Sequence, residues 1–234
     1  MQIYIIRHGQ STNNANHPDT PPVPDPPLTS LGQAQAALTA KALRAEISEV
    51  SALYVSPMRR TLQTAHPIRA ALRRTPYVFP DLCEAGGLGE HPGMSCEEIL
   101  REWPEVHLDE RITPHGWWTP GESAVVEETF YARAERIWAF LRTRHSLDDP
   151  PVVVVTHGRI GSALVSTMLG LGPMGCSRFP FDNCAITRLD FDRYTDVAYA
   201  PPPALPDSLA SRLEVGRLMF HARMAHLPPT LITR

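Results

Sequence analysis

Apolar residues occur along this chain in two patterns, as short unbroken runs and as longer segments with helical spacing. Ile3–Ile6 is an unbroken, β-rich run, and Val152–Val155 is a second one. Runs without polar alternation are typical of strands that are covered on both faces. Ala52–Val55 and Pro76–Phe79 predict two further short strands. Because helical segments follow these strands, we expect an α/β fold with three layers, α/β/α, around a mostly parallel central sheet.

Helix start signals lie between the predicted strands. Thr29 or Ser30 fits the N-cap of a first crossover helix. Ser56 is the predicted cap of the second helix, and Pro57 fits its first turn. The longest helical pattern runs over Gly121–Arg144 and precedes the valine-rich strand.

One long segment, residues 86–120, has little periodicity. Ser95 and Glu98 form a capping-box pattern that predicts a short helix from about Cys96 to Trp103. We interpret the whole segment as a lid-like insertion over the site, and the alternative is a satellite packing cluster.

The chain closes with a proline-rich spacer after residue 200, followed by the segment Ser208–Ala225, which is predicted to be a helix. The predicted organisation is therefore a catalytic domain over residues 1–200 and a tail over residues 201–234. This tail could dock on the body, pair two subunits as a homodimer, or remain free.

Composition narrows the class of protein. The chain has 234 residues, of which 43% are hydrophobic and 20% charged, as in ordinary globular domains. A formal net charge of -3 with scattered arginines argues against a nucleic acid partner, and the longest apolar run is too short to span a membrane. The four cysteines show no paired spacing, and no metal-binding pattern such as HExxH occurs. We expect a cytoplasmic protein with free thiols, no cofactor and no metal.

Candidate chemistry lies at the ends of the two most apolar strands. Arg7 and His8 follow the first strand, and His157 follows the valine-rich strand. Ligands of open α/β sheets bind beyond the carboxyl ends of the strands, so the two histidines converge if their strands are neighbours. Ser11 and Asn14 add small polar groups suited to an oxyanion.

These residues form recognisable motifs. The pattern R-H-G-x-S-x-x-N at the first strand and S-P-x-x-R-x-x-Q-T-A after the second resemble signatures of the histidine phosphatase superfamily, the phosphoglycerate-mutase-like proteins, and point to its phosphatase branch. The resemblance covers about residues 1–191. Its matches are Arg7-His8-Gly9, Ser11, Asn14, Leu28-Thr29, Ser56-Pro57, Arg60, Gln63-Thr64-Ala65, Glu84, Gly121-Glu122-Ser123 and His157-Gly158.

The resemblance implies a role for each candidate. His8 would be the nucleophile that holds a phosphohistidine, and Arg7 and Arg60 would bind the phosphoryl oxygens in place of a metal. The implied phosphate-binding set is Arg7, Ser11, Asn14, Arg60 and His157.

The general acid is assigned to Glu84, which follows the third strand as the acid of the family does. Glu90 competes for this role, because the local pattern E-A-G-G-L-G-E departs from the phosphatase form E-x-x-x-G-x-W-E-G. The E-R-H-Y-G form of the glycolytic mutases is also missing, which favours hydrolysis.

The expected function is a metal-independent phosphomonoesterase, of the histidine acid phosphatase type, that acts on a small phosphorylated metabolite. Two alternatives stay open. One is a phosphoglycerate-type mutase, and the other is a catalytically weak module that binds phosphoesters or a partner through the same pocket.

Overall fold

A computed structural model of the chain describes residues 1–15, 21–84, 88–119, 127–171, 179–193 and 214–234. The strands are β1 (Gln2–Arg7), β2 (Ala52–Val55), β3 (Pro76–Val78), β4 (His107–Leu108), β5 (Val152–Thr156), β6 (Ile186–Arg193) and β7 (Glu214–Arg223). The helices are α1 (Thr12–Ala15), α2 (Ser30–Glu46), α3 (Arg59–Leu72), α4 (Cys96–Glu102), α5 (Glu127–Arg144) and α6 (Gly158–Met168). Within these ranges no helix is both long and apolar enough to cross a membrane.

The described strands form one sheet in the order β4-β3-β2-β5-β1-β6-β7. The first five strands in this order run parallel, and β6 and β7 add an antiparallel edge beside β1. The prediction of a mostly parallel central sheet is confirmed. The two unbroken apolar runs, β1 and β5, are neighbours at its centre.

The sheet separates two apolar cores, one on each face. Ile3 and Ile5 of β1 pack with residues of α5 and α6, whereas Tyr4 and Ile6 pack with residues of α2 and α3. Both faces are therefore covered, which explains why β1 shows no polar alternation, and the predicted three layers are confirmed. Each fully buried isoleucine contributes roughly 1.5–3 kcal/mol.

Two predicted caps are present and one is wrong. Thr29 caps α2 by accepting from the backbone N–H of Gly32, and Ser95 forms the capping box of α4. Helix α3 begins later than predicted, at Arg59, so Met58 holds the N-cap position and Ser56 lies before it.

The described part of the predicted lid, residues 88–119, belongs to the body of the fold. It supplies α4 and the edge strand β4, and Ile99, Trp103 and Ile112 are buried in the core that faces α2 and α3. That this segment also covers the site stays a prediction.

The predicted terminal helix is wrong, because residues 214–223 form strand β7 along the open edge of β6. Leu218, Met219 and Ala222 have helical spacing, which explains the error. The edge of β6 offers backbone hydrogen bonds that a strand can satisfy. The register skips Met219, so that Leu218 packs with one core and Phe220 with the other. The predicted domain boundary at residue 200 lies outside the described residues, and pairing of two subunits stays a prediction.

Candidate active site

The two histidines converge because their strands are adjacent and parallel. Arg7 lies opposite Thr156 in the ladder between β1 and β5, and the backbone N–H of His8 donates to the carbonyl of Thr156 at 2.9 Å. His8 and His157 therefore leave the sheet side by side, with ring centroids 5.1 Å apart and planes inclined by 62°.

The hydrogen bonds of His8 select one tautomer. Its Nδ1 lies 2.7 Å from the carbonyl oxygen of Gly9, which can only accept, so Nδ1 carries the proton and donates it. Its Nε2 keeps a lone pair and accepts from Nε of Arg60 at 3.1 Å. Burial lowers the pKa of His8 well below its usual 6.5, and the charges of Arg60 and Arg7 act in the same direction. His8 is thus a neutral imidazole with its lone pair on Nε2.

Arg60 lies in the first turn of α3 and is nearly fully buried. Its Nη1 lies 3.8 Å from the carboxylate of Asp25, which belongs to the proline-rich loop that precedes α2. The same carboxylate accepts from the backbone N–H of Arg59 at 3.0 and 3.2 Å, so it holds the N-terminus of α3. Burial lowers the pKa of Arg60, and the charge of Asp25 opposes this.

Sequence reasoning missed Asp25. Burial raises the pKa of its carboxyl group, and the neighbouring Arg60 charge works against the rise. The available signal was weak, because an aspartate within a proline-rich loop is ordinarily a solvated turn residue.

Arg7 approaches the site from the end of β1. Its Nη1 donates to the carbonyl of Phe181 at 2.6 Å. Its Nε is buried and has no hydrogen-bond partner within the described ranges. Burial lowers its pKa, and the nearby Glu84 acts in the opposite direction. A buried N–H donor of this kind is suited to an anion.

His157 is fully buried and hydrogen-bonded differently from His8. Its Nε2 lies 2.8 Å from Oγ of Ser56, and its Nδ1 has no partner in the part of the chain that the structure describes. Because the Ser56 hydroxyl also accepts from the backbone N–H of Met58, its own proton can go to Nε2. In that arrangement Nδ1 carries the ring proton and is a donor, whereas in the other tautomer Nε2–H donates to the Ser56 hydroxyl and Nδ1 is an acceptor. Burial lowers the pKa of His157 well below 6.5, and the charge of Arg60 makes the second-largest contribution in the same direction.

The loop after β1 is fixed by hydrogen bonds of its own. Oδ1 of Asn14 accepts from Oγ of Ser11 at 2.9 Å and from its backbone N–H at 3.2 Å. The amide nitrogen of Asn14 is thus the end that could bind a phosphoryl oxygen. Gly9 donates to the Thr64 hydroxyl, and a Cβ on Gly9 would lie 2.5 Å from the carbonyl oxygen of Gly32. Glycine is needed here for close approach to α2.

Glu84 is half-buried and lies at the N-terminus of α6, the helix that follows His157. Its carboxylate accepts from the backbone N–H groups of Arg159 and Ile160, both at 3.3 Å. Its charge acts on both Arg7 and Arg60. The competing Glu90 is exposed. The structure thus brings Glu84 to the site.

Together these groups favour an anion. Arg60 donates to His8, the ring of His8 contacts that of His157, and the charge of Arg7 also acts on His8. The described residues contain no group of three His, Cys, Asp or Glu side chains that could hold a metal ion. The chemistry of this set of donors matches a tetrahedral oxyanion.

Comparisons with known proteins identify the family of this chain. Residues 3–199 match the profile of the family described as histidine phosphatase superfamily (branch 1). A probable phosphoglycerate mutase of Cronobacter sakazakii is 31% identical over 199 residues, which cover 82% of this chain and 86% of the relative.

Solved structures show the same fold. The native mycobacterial glucosyl-3-phosphoglycerate phosphatase is 26% identical, with a TM-score of 0.56 over 80% of this chain and 89% of that one. A phosphoserine phosphatase of Entamoeba histolytica, solved with 3-phosphoglyceric acid, is 17% identical, with a TM-score of 0.61 over 97% and 99% of the two chains.

Proposed function

Because the chain belongs to the histidine phosphatase superfamily, we propose that it is a metal-independent phosphomonoesterase that works through a phosphohistidine on His8. The observation that carries this proposal is the tautomer of His8. Its Nδ1 proton is held by the Gly9 carbonyl, and its Nε2 lone pair faces the Arg60 guanidinium. An imidazole in this tautomer attacks phosphorus without first losing a proton, once the Arg60 N–H turns from Nε2 to the phosphoryl oxygens.

In the first step, Nε2 of His8 forms a bond to phosphorus as the ester P–O bond breaks. Arg7 and Arg60 neutralise the equatorial oxygens, and the Nδ1–H of His157 and the amide of Asn14 donate to them. Glu84, which must bind a proton before this step, gives it to the departing alkoxide oxygen, so the alcohol leaves neutral.

In the second step, water attacks the phosphohistidine. Glu84, now a carboxylate, takes a proton from this water, and the P–N bond breaks with its electron pair returning to Nε2. Inorganic phosphate leaves, and both His8 and Glu84 regain their starting states.

The substrate that we propose is a small phosphorylated metabolite. The mycobacterial and amoebic neighbours are named for glucosyl-3-phosphoglycerate and phosphoserine, which both carry a carboxylate near the phosphoester. A phosphorylated carboxylic acid is therefore the first class to test.

A mutase is the second candidate, supported by the names of the curated relatives. In a mutase the phosphoryl group returns from His8 to another hydroxyl of the same class of substrate, whereas in a phosphatase water accepts it. A weak phosphoester-binding module, the third reading, would bind phosphate without turnover.

A rapid-quench experiment tests the nucleophile. Brief reaction with labelled nitrophenyl phosphate, followed by an alkaline quench, should leave an acid-labile phosphoryl group that maps to His8. The His8→Ala variant should show none, and a variant of the exposed His91, His91→Ala, should label normally. Label on a different residue would reject the assignment.

Two further measurements separate the alternatives. Turnover should survive exhaustive chelation, and activity that returns only on adding magnesium or zinc would contradict the proposal. Phosphorus NMR of a 3-phosphoglycerate reaction should show inorganic phosphate as the product, whereas appearance of the 2-phospho isomer would establish the mutase.

A further inference from the structure

The residues near the end of the sequence are linked to the loop that carries His8 through intervening side chains. The backbone carbonyl of Thr233 accepts from the backbone N–H of Asn183 at 2.8 Å. The hydroxyl of the same threonine donates to Oδ1 of Asn183 at 3.1 Å. Thr233 thereby fixes both the backbone and the side chain of Asn183.

Asn183 passes this constraint to the loop after β1. It is fully buried, and its Nδ2 donates to the backbone carbonyl of His8 at 3.1 Å and to Oδ1 of Asn14 at 3.4 Å. One amide group therefore joins the nucleophile's backbone to a residue of the proposed phosphate site.

Gln35, on α2, makes a second connection and is also fully buried. Its Nε2 donates to the carbonyl of Leu231 at 2.6 Å and to the hydroxyl of Thr233 at 2.8 Å. Its Oε1 accepts from the backbone N–H of Gln10 at 2.8 Å. Both ends of the amide are satisfied, one by the distal segment Leu231–Thr233 and the other by the His8 loop.

We propose that the distal segment positions the loop that carries His8. It acts through Asn183 on the backbone of His8 and on Asn14, and through Gln35 on the backbone of Gln10. None of these contacts reaches a reacting atom, so these are positioning residues. A buried network of this kind is rigid only while every member is paired, and removal of one member leaves its partners desolvated without a hydrogen bond.

The segment itself is anchored on the fold. Leu227 is buried against Leu28 and Ala36, and a short 3-10 turn follows at Pro229–Leu231. The distal segment is thus held from one side by apolar packing and from the other by the two amides.

Three variants test this inference, which rests on the proposed function only for its turnover readout. They are a truncation after Thr230, which removes the whole distal segment, the nearly isosteric Thr233→Val, and the conservative Thr233→Ser. The control is Ile232→Ala, because this side chain is 41% exposed and is not part of the network.

The truncation should lower kcat for nitrophenyl phosphate by roughly tenfold or more, since small displacements of catalytic groups carry large penalties. Thr233→Val should lower kcat severalfold, Thr233→Ser should restore it, and the control should match the wild type. Hydrogen exchange at the backbone amides of residues 8–14 should accelerate in the first two variants, and this readout does not depend on the reaction assigned to the protein.

Two outcomes would overturn the inference. One is a folded truncated protein with wild-type kcat and wild-type exchange at residues 8–14. The other, decisive if the truncation does not fold, is a Thr233→Val protein whose melting temperature falls while kcat and loop exchange stay unchanged. A wild-type protein without turnover would reject the proposed function, and the exchange result would still decide the positioning role.

Discussion

The two strand–histidine–glycine units of this protein are alike in sequence and different in chemistry. Each has a buried strand that is followed directly by a histidine, and the two strands are neighbours in the sheet. After His8 the chain continues into a hydrogen-bonded loop, whereas after His157 it enters α6 directly.

The difference lies in the partners of the two ring nitrogens. In His8 the Gly9 carbonyl holds the Nδ1 proton, and the Nε2 lone pair accepts from Arg60. In His157 the Ser56 hydroxyl lies at Nε2, and Nδ1 has no partner in the part of the chain that the structure describes. The repeated motif places an imidazole, and under the proposed function these partners make His8 the nucleophile and His157 a donor to the phosphoryl group.

The largest expected effect would separate these two roles. His8→Ala should lower kcat by roughly 10⁴-fold or more, because it removes the atom that bonds to phosphorus. His157→Ala should lower kcat by roughly 10²-fold, the loss of one donor to the phosphoryl oxygens. Steady-state kinetics on nitrophenyl phosphate measures both. Equal losses in the two variants would mean that the histidines act as one unit.

The second effect concerns Arg60, the arginine that donates to Nε2 of His8. Arg60→Met should cost roughly 10²- to 10³-fold in kcat/KM, as expected for a charged donor aimed at developing negative charge. Arg59→Met is the matched control, because its side chain pairs with Glu102 on the surface. A comparable loss in the control would show that helix α3, and not the guanidinium of Arg60, was being tested.

The third effect concerns Glu84, whose carboxylate accepts hydrogen bonds at the N-terminus of α6, the helix that follows His157. Glu84→Gln should cost roughly 10²-fold on an alkyl phosphate and distinctly less on nitrophenyl phosphate, because nitrophenolate leaves without a proton. Glu90→Gln should show no such dependence on the leaving group. If the dependence appears in the Glu90 variant instead, the acid lies further along the loop.

The smallest effect is one in which the two histidines should agree. Burial holds the pKa of both well below 6.5, so each stays neutral as the pH falls through the range where free histidine becomes protonated. Their imidazole NMR signals should not shift between pH 8 and 6, while free histidine in the same buffer does. A midpoint near 6.5 for either residue would contradict its buried, neutral state.

Patterns within short stretches of sequence predicted the features that depend on neighbouring residues alone. The unbroken runs of β1 and β5 predicted strands covered on both faces, and the capping box at Ser95 predicted the start of α4. The family motifs identified the residues that lie around His8 in the structure. Their catalytic roles stay proposals.

Features that depend on distant partners could not be predicted. Asp25 is important only because its loop folds over the start of α3, and Gln35 only because the distal segment passes beside it. The segment after residue 213 has apolar spacing that fits a helix as well as a strand, and the free edge of β6 decides between them. A short stretch of sequence around these residues does not show that this edge is free.

The place of β1 in the sheet also has a consequence for biosynthesis. Ile3 lies opposite Val152 on one side and Leu189 on the other, so β1 is synthesised well before both of its neighbours in the sheet. Contacts this distant along the chain slow folding, and an apolar strand without neighbours is prone to aggregate or to be held by chaperones. The loop that carries His8 is therefore expected to reach its final form only after β5 and β6 have been synthesised.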